Sequence, residues 1–354
     1  MPAPLAPLAP YAHVADAPEV LDDTHVSPAL RTLFPGFRHV QVATAEGVHI
    51  HATVGGTGPA LLLLHGHPQT RAIWHKVAPA LAERFTVVAA DLRGYGDSSK
   101  PEGGPRDAAY SKRAMAADLV ALMRALGHER FDLLAHDRGA RVAHRLAMDT
   151  PAAVRRLALL DIAPTLDMYE GANDAFARAY WHWFLLIQPA PLPERLIEAD
   201  PAAYAVEVMG RRSAGLAPFD PLALAEYQRA LAIPGTARGI CGDYRASADL
   251  DLKHDRADRA AGHVLTMPLL ALWGAQGVVH RCFEPLALWR RIAADVRGEA
   301  LPCGHYIPEE APALLLERVL PFFTADEPAR AIDAAGAGAG AGAVDETRSK
   351  ETQP

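Results

Sequence analysis

The stretch LLAHDRGARVAHRLA, residues 133–147, joins a short apolar run to a helical pattern through a turn that contains one acid. Asp137 stands in the form small-x-acid-x-small, with Ala135 and Gly139 as the small residues. This form is typical of the nucleophile elbow, a strained strand-to-helix turn that exposes one reactive side chain above a sheet. A carboxylate there can attack saturated carbon and form an ester on the protein. An aspartate after a strand can also be a plain helix cap, so further features have to decide its role.

Apolar runs and helical patterns alternate on both sides of this stretch. The runs at 59–69, 82–98 and 154–164 are short and end in turn residues, as strands buried on both faces of a parallel sheet do. A helical pattern at 115–129 separates two of them. The alternation predicts right-handed βαβ units, and therefore an α/β fold with a mostly parallel central sheet flanked by helices.

The alternation stops near residue 165 and resumes near residue 267 with MPLLALWGAQG. The interval is rich in Trp, Tyr and helical patches, which predicts a helical cap over the sheet edge where α/β folds bind ligands. Both chain ends are compositionally biased, one toward Pro and Ala and the other toward Gly and Ala, and we expect both to be disordered. The predicted organisation is a flexible arm (1–28), the first part of the core (29–165), the cap (166–250), the second part of the core (251–325) and a disordered tail (326–354).

Composition excludes several classes of protein. The formal net charge of −7 and the absence of a Lys/Arg-rich block argue against a nucleic-acid partner. No apolar run approaches the roughly 20 residues that span a bilayer, so we expect no membrane partner. Three cysteines far apart, without a CxxC pair, fit a reducing cytoplasm. The 16 histidines show no metal-ligand spacing, so we expect neither a metal nor a cofactor.

Two further motifs favour Asp137 as a nucleophile. In HGHPQ, residues 65–69, the His-Gly turn follows an apolar strand, and the backbone N–H groups of His67 and Arg138 would form an oxyanion hole. In PCGHYIPEE, residues 302–310, His305 lies in a loop before the last helix. That is the expected chain order of nucleophile, acid and histidine, so we predict that His305 is the general base.

The acid that orients His305 is predicted by elimination between two turns. The turn after LLALWG contains Gln276 and Gly277 and no carboxylate. The strand before the cap ends in LALLDIAP, which places Asp161 at a sheet edge. A loop cap is the competing reading of Asp161. As a catalytic residue it would hold the tautomer of His305 and stabilise its charged form.

Two arginines lie within four positions after the predicted nucleophile. Arg138 and Arg141 are three positions apart at the start of a helix, so they share a face, and the helix N-terminus also favours an anion. Either arginine could instead be a solvated helix residue or the partner of a surface acid. Two guanidinium groups in a buried pocket would hold a small carboxylate and offset its repulsion by Asp137. We therefore predict a short carboxylic acid with a leaving group on its α-carbon as the substrate.

The motifs together resemble those of fluoroacetate dehalogenases in the α/β-hydrolase superfamily. The resemblance rests on HGHPQT, DLRGYGDSSKP, HDRGAR, LDIAPT, YWHWFLLIQPAPLPE, DYRA, HD, LWGAQG and GHYIPEEAP. It implies a helical cap inserted after the sixth sheet strand, a homodimer, a haloacid substrate and no cofactor. It also implies site roles, with Asp137 as nucleophile, His305 and Asp161 as base and orienting acid, Arg138 and Arg141 as the carboxylate clamp, and His182, Trp183 and Tyr244 as halide donors.

Some positions depart from that family, and some rival functions share its chemistry. His67 stands where a Phe is common and Arg211 where a cap Trp is typical, which puts a strict preference for fluoroacetate in doubt.

An epoxide hydrolase would use the same Asp and His but would give the two arginines no task. A haloalkane dehalogenase has an apolar pocket and fits less well. A non-catalytic hydrolase-fold protein that binds small acids is the rival from another class, and it predicts that His305 is dispensable.

Overall fold

The computed structural model of the protein describes residues 16–325. The first part of the predicted arm (1–15) and the predicted tail (326–354) lie outside the described residues. The strands are β1 (Glu19–Val20), β2 (Arg38–Ala45), β3 (Val48–Gly55), β4 (Ala60–Leu64), β5 (Thr86–Ala90), β6 (Phe131–His136), β7 (Val154–Leu160), β8 (Leu269–Gly274) and β9 (Val296–Leu301).

These strands form one sheet across residues 16–325, in the order β1-β2-β3-β5-β4-β6-β7-β8-β9. The pairs β1–β2, β2–β3 and β3–β5 are antiparallel. Every pair from β5–β4 to β8–β9 is parallel. The sequence of β4, ALLLL, is buried throughout, as expected for a central strand covered on both faces. The predicted mostly parallel sheet is confirmed.

Helices cover the sheet and fill the interval between β7 and β8. The α-helices are α1 (Pro28–Leu33), α2 (Ala78–Ala82), α3 (Lys112–Ala125), α4 (Asp137–Asp149), α5 (Thr165–Glu170), α6 (Asp174–Ala179), α7 (Trp181–Leu186), α8 (Leu192–Ala199), α9 (Pro201–Gly210), α10 (Pro221–Leu231), α11 (Thr236–Ala246), α12 (Leu252–Ala261), α13 (Val278–Cys282), α14 (Pro285–Trp289), α15 (Ile307–Glu310) and α16 (Pro312–Thr324). Shorter turns are the 3₁₀ segments Arg71–Trp74, Pro105–Tyr110 and Pro151–Ala153, and the π segment Ser247–Asp251.

Two boundaries differ from the sequence prediction. Glu19 and Val20, inside the predicted arm, pair with β2, so the helical insertion follows the seventh strand in chain order and not the sixth. Both residues are exposed and join the sheet through backbone bonds alone, so no side-chain pattern marks them. The insertion also continues through α12 to Ala261, beyond the predicted end at residue 250. Only Leu252 is buried in α12, and so few apolar residues leave little periodicity to read.

Three of the parallel strands lead into loops that carry polar residues at one edge of the sheet. β4 leads into the His-Gly turn, β6 into α4 and β7 into Asp161. Parallel strands deliver their carboxyl ends to a common edge, which brings segments distant in the chain together there. Among residues 16–325, no helix combines the length and the apolar character that a bilayer crossing requires.

Candidate active site

Asp137 lies at the sharp turn between β6 and α4. Its φ is +46°, a backbone conformation that side chains other than glycine rarely adopt. Two glycines make the turn possible, because a Cβ on Gly66 would lie 2.5 Å from the Cβ of Asp137 and one on Gly139 would lie 2.3 Å from the carbonyl oxygen of His65. The strained geometry therefore depends on close backbone packing of the two turns, as in a nucleophile elbow.

The Asp137 carboxylate is buried and held as an anion. The backbone N–H of His67 donates a hydrogen bond to its Oδ1 at 3.0 Å, which is where the sequence analysis expects one wall of an oxyanion hole. Burial on its own would raise the pKa of Asp137. Its interactions with His305, His136, Arg141 and Arg138, in that order, lower the pKa of Asp137 well below its ordinary value. A carboxylate in this state is a competent nucleophile at neutral pH.

His305 and Asp161 meet beside this turn. Nδ1 of His305 lies 2.5 Å from Oδ2 of Asp161, and Oδ1 of Asp161 accepts a hydrogen bond from the backbone N–H of Gly274 at 2.9 Å. Because a carboxylate can only accept here, Nδ1 carries the proton and Nε2 is left free to take one. His136 donates from Nε2 to the carbonyl oxygen of His305 at 2.8 Å, which holds the loop in place. The geometry suits a base and its orienting acid.

Arg138 is fully buried and already has a carboxylate partner. Its Nε and Nη2 donate to the two carboxylate oxygens of Asp243 at 2.9 and 2.6 Å, and its guanidinium stacks on the ring of Tyr244 at 4.0 Å. Arg138 therefore has a counter-ion even without a bound substrate. Its Nη1 nevertheless has no hydrogen-bond partner within residues 16–325. One donor therefore remains available to a ligand.

Asp243 is the main site residue that the sequence analysis missed. It lies on α11 next to Tyr244 and also accepts hydrogen bonds from the hydroxyl of Tyr95, at 2.7 Å, and from Nζ of Lys112. Burial opposes its ionisation, but the charges of Arg138 and Lys112 lower the pKa of Asp243 well below its ordinary value. The DYRA motif contains this aspartate, so its position beside a predicted halide donor was the available signal.

Arg141 is buried without a carboxylate partner among the described residues. Nη1 contacts the Thr165 hydroxyl at 2.9 Å and Nη2 contacts the Met168 sulfur at 3.1 Å, and both partners are neutral. Its guanidinium lies over the ring of Trp183 at 4.7 Å, and its Nε is buried without a partner. Burial, followed by the charge of Arg138, lowers the pKa of Arg141. An anionic ligand would relieve this electrostatic cost.

The three predicted halide donors lie together on two helices of the insertion. His182 and Trp183 come from α7 and Tyr244 from α11, with ring centroids 6.0 Å apart for His182–Tyr244 and 6.4 Å apart for Trp183–Tyr244. Nε1 of Trp183 and the hydroxyl of Tyr244 are buried without hydrogen-bond partners in the described chain. Burial lowers the pKa of His182 well below its ordinary value, so its ring is neutral. Buried donors without partners are unusual in folded proteins, and a bound anion would satisfy those of Trp183 and Tyr244.

The side chain of His67 forms the facing wall. It stacks on His182 with a centroid distance of 5.9 Å and an interplanar angle of 17°, and its Nε2 lies 3.1 Å from the hydroxyl of Tyr204. Burial lowers the pKa of His67 to about 3. This histidine therefore contributes a flat neutral ring, as a Phe would, together with a polar edge.

Arg211 does not lie among the aromatic residues around His182 and Tyr244. It is exposed and pairs with Glu207 at 2.7 Å on the outside of α9. Its neighbour Arg212 is the arginine that turns inward, with its guanidinium over the ring of Tyr180 at 4.6 Å. A cavity of about 280 Å³ lies here, bordered by Arg212 and His305 and, on its exposed side, by Arg211. The sequence did not distinguish the two arginines because they are adjacent.

Within residues 16–325, no group of His, Cys, Asp or Glu side chains has the arrangement of a metal site.

The fold and the site define the class of protein. Residues 59–310 match the family model of the α/β hydrolase fold, so the chain belongs to the α/β-hydrolase family. A fluoroacetate dehalogenase from Burkholderia sp is 47% identical over 281 residues, covering 79% of this chain and 91% of that protein. A soluble epoxide hydrolase from Corynebacterium sp. (strain C12) is 35% identical over 289 residues, covering 79% and 96%.

A solved structure agrees with these relatives. The crystal structure of ALR0039 from Nostoc sp PCC 7120 superposes with a TM-score of 0.78 at 50% identity and covers 81% of this chain and 98% of that one. The predicted fold class and the predicted resemblance to fluoroacetate dehalogenases are confirmed.

Proposed function

We propose that the protein is a hydrolase that removes halide from short 2-haloacids of the fluoroacetate and chloroacetate type. The observation that carries the proposal is the pair of buried guanidinium groups beside an ionised aspartate, of which Arg141 has only neutral partners in the described chain. A small carboxylate would satisfy the free Nη1 of Arg138 and Nε of Arg141. The similarity to a fluoroacetate dehalogenase supports the same substrate class.

In the first step, an oxygen of Asp137 attacks the α-carbon while Arg138 and Arg141 hold the substrate carboxylate. The C–O bond forms as the carbon–halogen bond breaks, and the halide leaves with the bonding electrons. His182, Trp183 and Tyr244 would donate hydrogen bonds to that halide in place of water, at preorganised positions. The configuration inverts when the carbon is chiral, because the attack is in line with the leaving group.

In the second step, water hydrolyses the ester on Asp137. Nε2 of His305 takes a proton from the water, and Asp161 stabilises the imidazolium that results. The water oxygen attacks the carbonyl carbon of the ester, and the backbone N–H groups of His67 and Arg138 would stabilise the charge on the tetrahedral intermediate. The intermediate then breaks its bond to the alkoxide oxygen of the 2-hydroxy acid, and this oxygen takes the proton from His305. The products are a 2-hydroxy acid, halide and a proton, and the Asp137 carboxylate is regenerated.

The segment 166–250 would act as the cap in this mechanism, because all three proposed halide donors belong to it. We also propose that the enzyme is a homodimer, as the family resemblance implies, which light scattering of the purified protein tests. Cys241, Cys282 and Cys303 are free thiols, which supports a reducing cytoplasmic location.

The test is halide release from fluoroacetate and chloroacetate, together with the intact mass of the protein. Wild type is expected to release halide. His305→Asn is expected to accumulate an ester adduct, because its second step fails. Asp137→Asn is expected to release no halide. Wild type that releases no halide, with no adduct on His305→Asn, refutes the proposal.

An epoxide hydrolase is the second candidate. The 35% identical relative favours it, and so does the buried, unpartnered hydroxyl of Tyr244, since a tyrosine of this kind could protonate an epoxide oxygen. Diol formation from styrene oxide tests this alternative. We expect none, because a neutral epoxide leaves Arg141 without an anion. A non-catalytic binding protein would instead retain acid binding and show no halide release with or without His305.

A further inference from the structure

A third arginine faces the site across the ring of Tyr180. The guanidinium carbon of Arg212 lies 4.6 Å from the centroid of that ring, and the ring centroid lies 6.4 Å from that of His305. Burial alone would lower the pKa of Arg212, but Tyr180, Tyr306 and Asp137 raise it above its ordinary value. Arg212 is therefore a fixed positive charge within electrostatic reach of the proposed nucleophile.

The charge of Arg212 is not matched by a carboxylate. Within residues 16–325, no Asp or Glu oxygen lies at ion-pair distance from it, and its Nε is buried without a hydrogen-bond partner. The adjacent Arg211, by contrast, is exposed and pairs with Glu207. A partly buried guanidinium held in place by an aromatic ring, with donors to spare, is suited to bind a carboxylate.

Space for such a group lies next to Arg212. The cavity of about 280 Å³ is bordered by Arg212, His305 and Gln276, and the exposed Arg211 and Arg281 add positive charge at its outer side. A water molecule occupies about 30 Å³ of liquid volume, so the cavity has room for a carboxylate and several waters. An acetate-sized substrate held by Arg138 and Arg141 would leave this space unused.

We propose that Arg212 binds a second carboxylate, and that the protein therefore acts on 2-halo dicarboxylic acids of the halosuccinate type. The inference rests on the proposed function for the nucleophile and the first carboxylate. Arg138 and Arg141 bind the C1 carboxylate of the substrate. The C4 carboxylate extends past Tyr180 and binds Arg212. Arg212 is then a specificity-determining residue.

The chemistry is unchanged by the longer substrate. Asp137 forms a C–O bond to C2 of chlorosuccinate as the C–Cl bond breaks, and chloride leaves with the electron pair. Water, deprotonated by His305, then attacks the carbonyl carbon of the aspartyl ester, and the tetrahedral intermediate expels the C2 alkoxide. The overall conversion is chlorosuccinate and water to 2-hydroxysuccinate, chloride and a proton, and no oxidant or reductant is needed.

The experiment follows chloride release from three substrates with the wild-type protein. They are 2-chlorosuccinate, 2-chlorobutanoate, which has a methyl group in place of the C4 carboxylate, and chloroacetate as the reference for the proposed function. We expect kcat/KM for chlorosuccinate to exceed that for chlorobutanoate by about tenfold or more, the worth of one charged hydrogen-bonded pair. Arg212→Gln is expected to lower this ratio by about ten- to a hundredfold, and Arg212→Lys to retain part of it.

The matched control is Arg178→Gln, which should leave the ratio unchanged. Arg178 is exposed, pairs with Asp174 at 2.8 Å and is not one of the residues that line the cavity. Wild type that releases chloride from chloroacetate but not from chlorosuccinate overturns the inference and leaves the proposed function standing. An Arg212→Gln protein with the wild-type ratio also overturns it. Failure with all three substrates refutes the proposed function itself, and the inference falls with it.

Discussion

Arg138 and Asp243 lie 105 positions apart in the chain and form a buried two-point ion pair, with Nε–Oδ2 at 2.9 Å and Nη2–Oδ1 at 2.6 Å. The pair connects α4, which follows the proposed nucleophile, to α11 of the helical insertion. It fixes the plane of the guanidinium and leaves Nη1 unoccupied. Asp243 therefore acts as a positioning residue, because it determines which edge of Arg138 is presented to a ligand.

Asp243→Asn is expected to lower the free energy of unfolding by about 3–5 kcal/mol, the usual cost of breaking a buried ion pair from one side. The substitution leaves the buried cations of Arg138 and Lys112 without their shared counter-ion. Urea unfolding at pH 7 measures the change. Asp174→Asn, which removes an exposed pair, is the control and should cost no more than about 0.5 kcal/mol. Equal unfolding curves for the two variants would contradict the assignment.

Trp183→Phe removes an N–H donor and keeps an aromatic ring. Nε1 of Trp183 has no partner among the described residues, so the loss affects the departing halide more than the folded protein. We expect kcat to fall by about 10²–10³-fold with fluoroacetate, which is the loss typical of removing one hydrogen-bond donor from an oxyanion hole. With chloroacetate we expect a smaller loss. Fluoride is small and strongly hydrated, so it depends most on replacement hydrogen bonds. Trp181→Phe, a partly buried neighbour on the same helix, is the control. Equal losses with the two substrates would remove Trp183 from the halide site.

Gly66→Ala is expected to reduce kcat/KM by about a hundredfold or more, because displacement of a reacting group by about 1 Å has that effect. The new Cβ would lie 2.5 Å from the Cβ of Asp137, so the proposed nucleophile has to move. Gly210→Ala, whose Cβ would meet Leu216 at an ordinary 3.4 Å, is the control and should retain full activity. Halide release measures both variants, and an active Gly66→Ala protein would show that the close approach is unimportant.

The buried carboxyl group of Asp251 is expected to make the free energy of unfolding depend on pH. Burial raises its pKa to about 6, and its neighbour Lys112 opposes the shift only in part. An unfolded aspartate releases its proton near pH 3.9, so between about pH 4 and 6 the folded state binds more protons than the unfolded state. Stability therefore falls as the pH rises through that window, by up to about 3 kcal/mol.

The measurement is urea unfolding of wild type and Asp251→Asn at several pH values. Asn retains an oxygen that can accept the hydrogen bond now donated by the backbone N–H of Lys112 at 2.9 Å. The difference between the two proteins should change across pH 4–6 and be constant above about pH 7. Parallel curves throughout would show that Asp251 is ionised at the lower pH.

Local sequence was sufficient to predict the sheet and to select most residues of the candidate site, because these features have local causes. Continuous apolar runs such as ALLLL mark buried strands, and a small-x-acid-x-small turn can be recognised without its neighbours. Chain order among the turns then predicted Asp161 and His305, which the structure brings within 2.5 Å of each other. The two-residue strand at Glu19 and Val20 escaped prediction because its pairing uses only backbone groups.

The sequence alone is thus enough to predict the α/β fold, the turn that presents Asp137 and an excess of cationic side chains beside it. How those charges are paired depends on the folded chain. Folding pairs Arg138 with Asp243, leaves Arg141 among neutral groups, and packs Arg212 on the ring of Tyr180 while Arg211 stays exposed beside Glu207. The physical reason is that a side chain's type is local, whereas its partner and its burial depend on segments that meet only when the chain has folded.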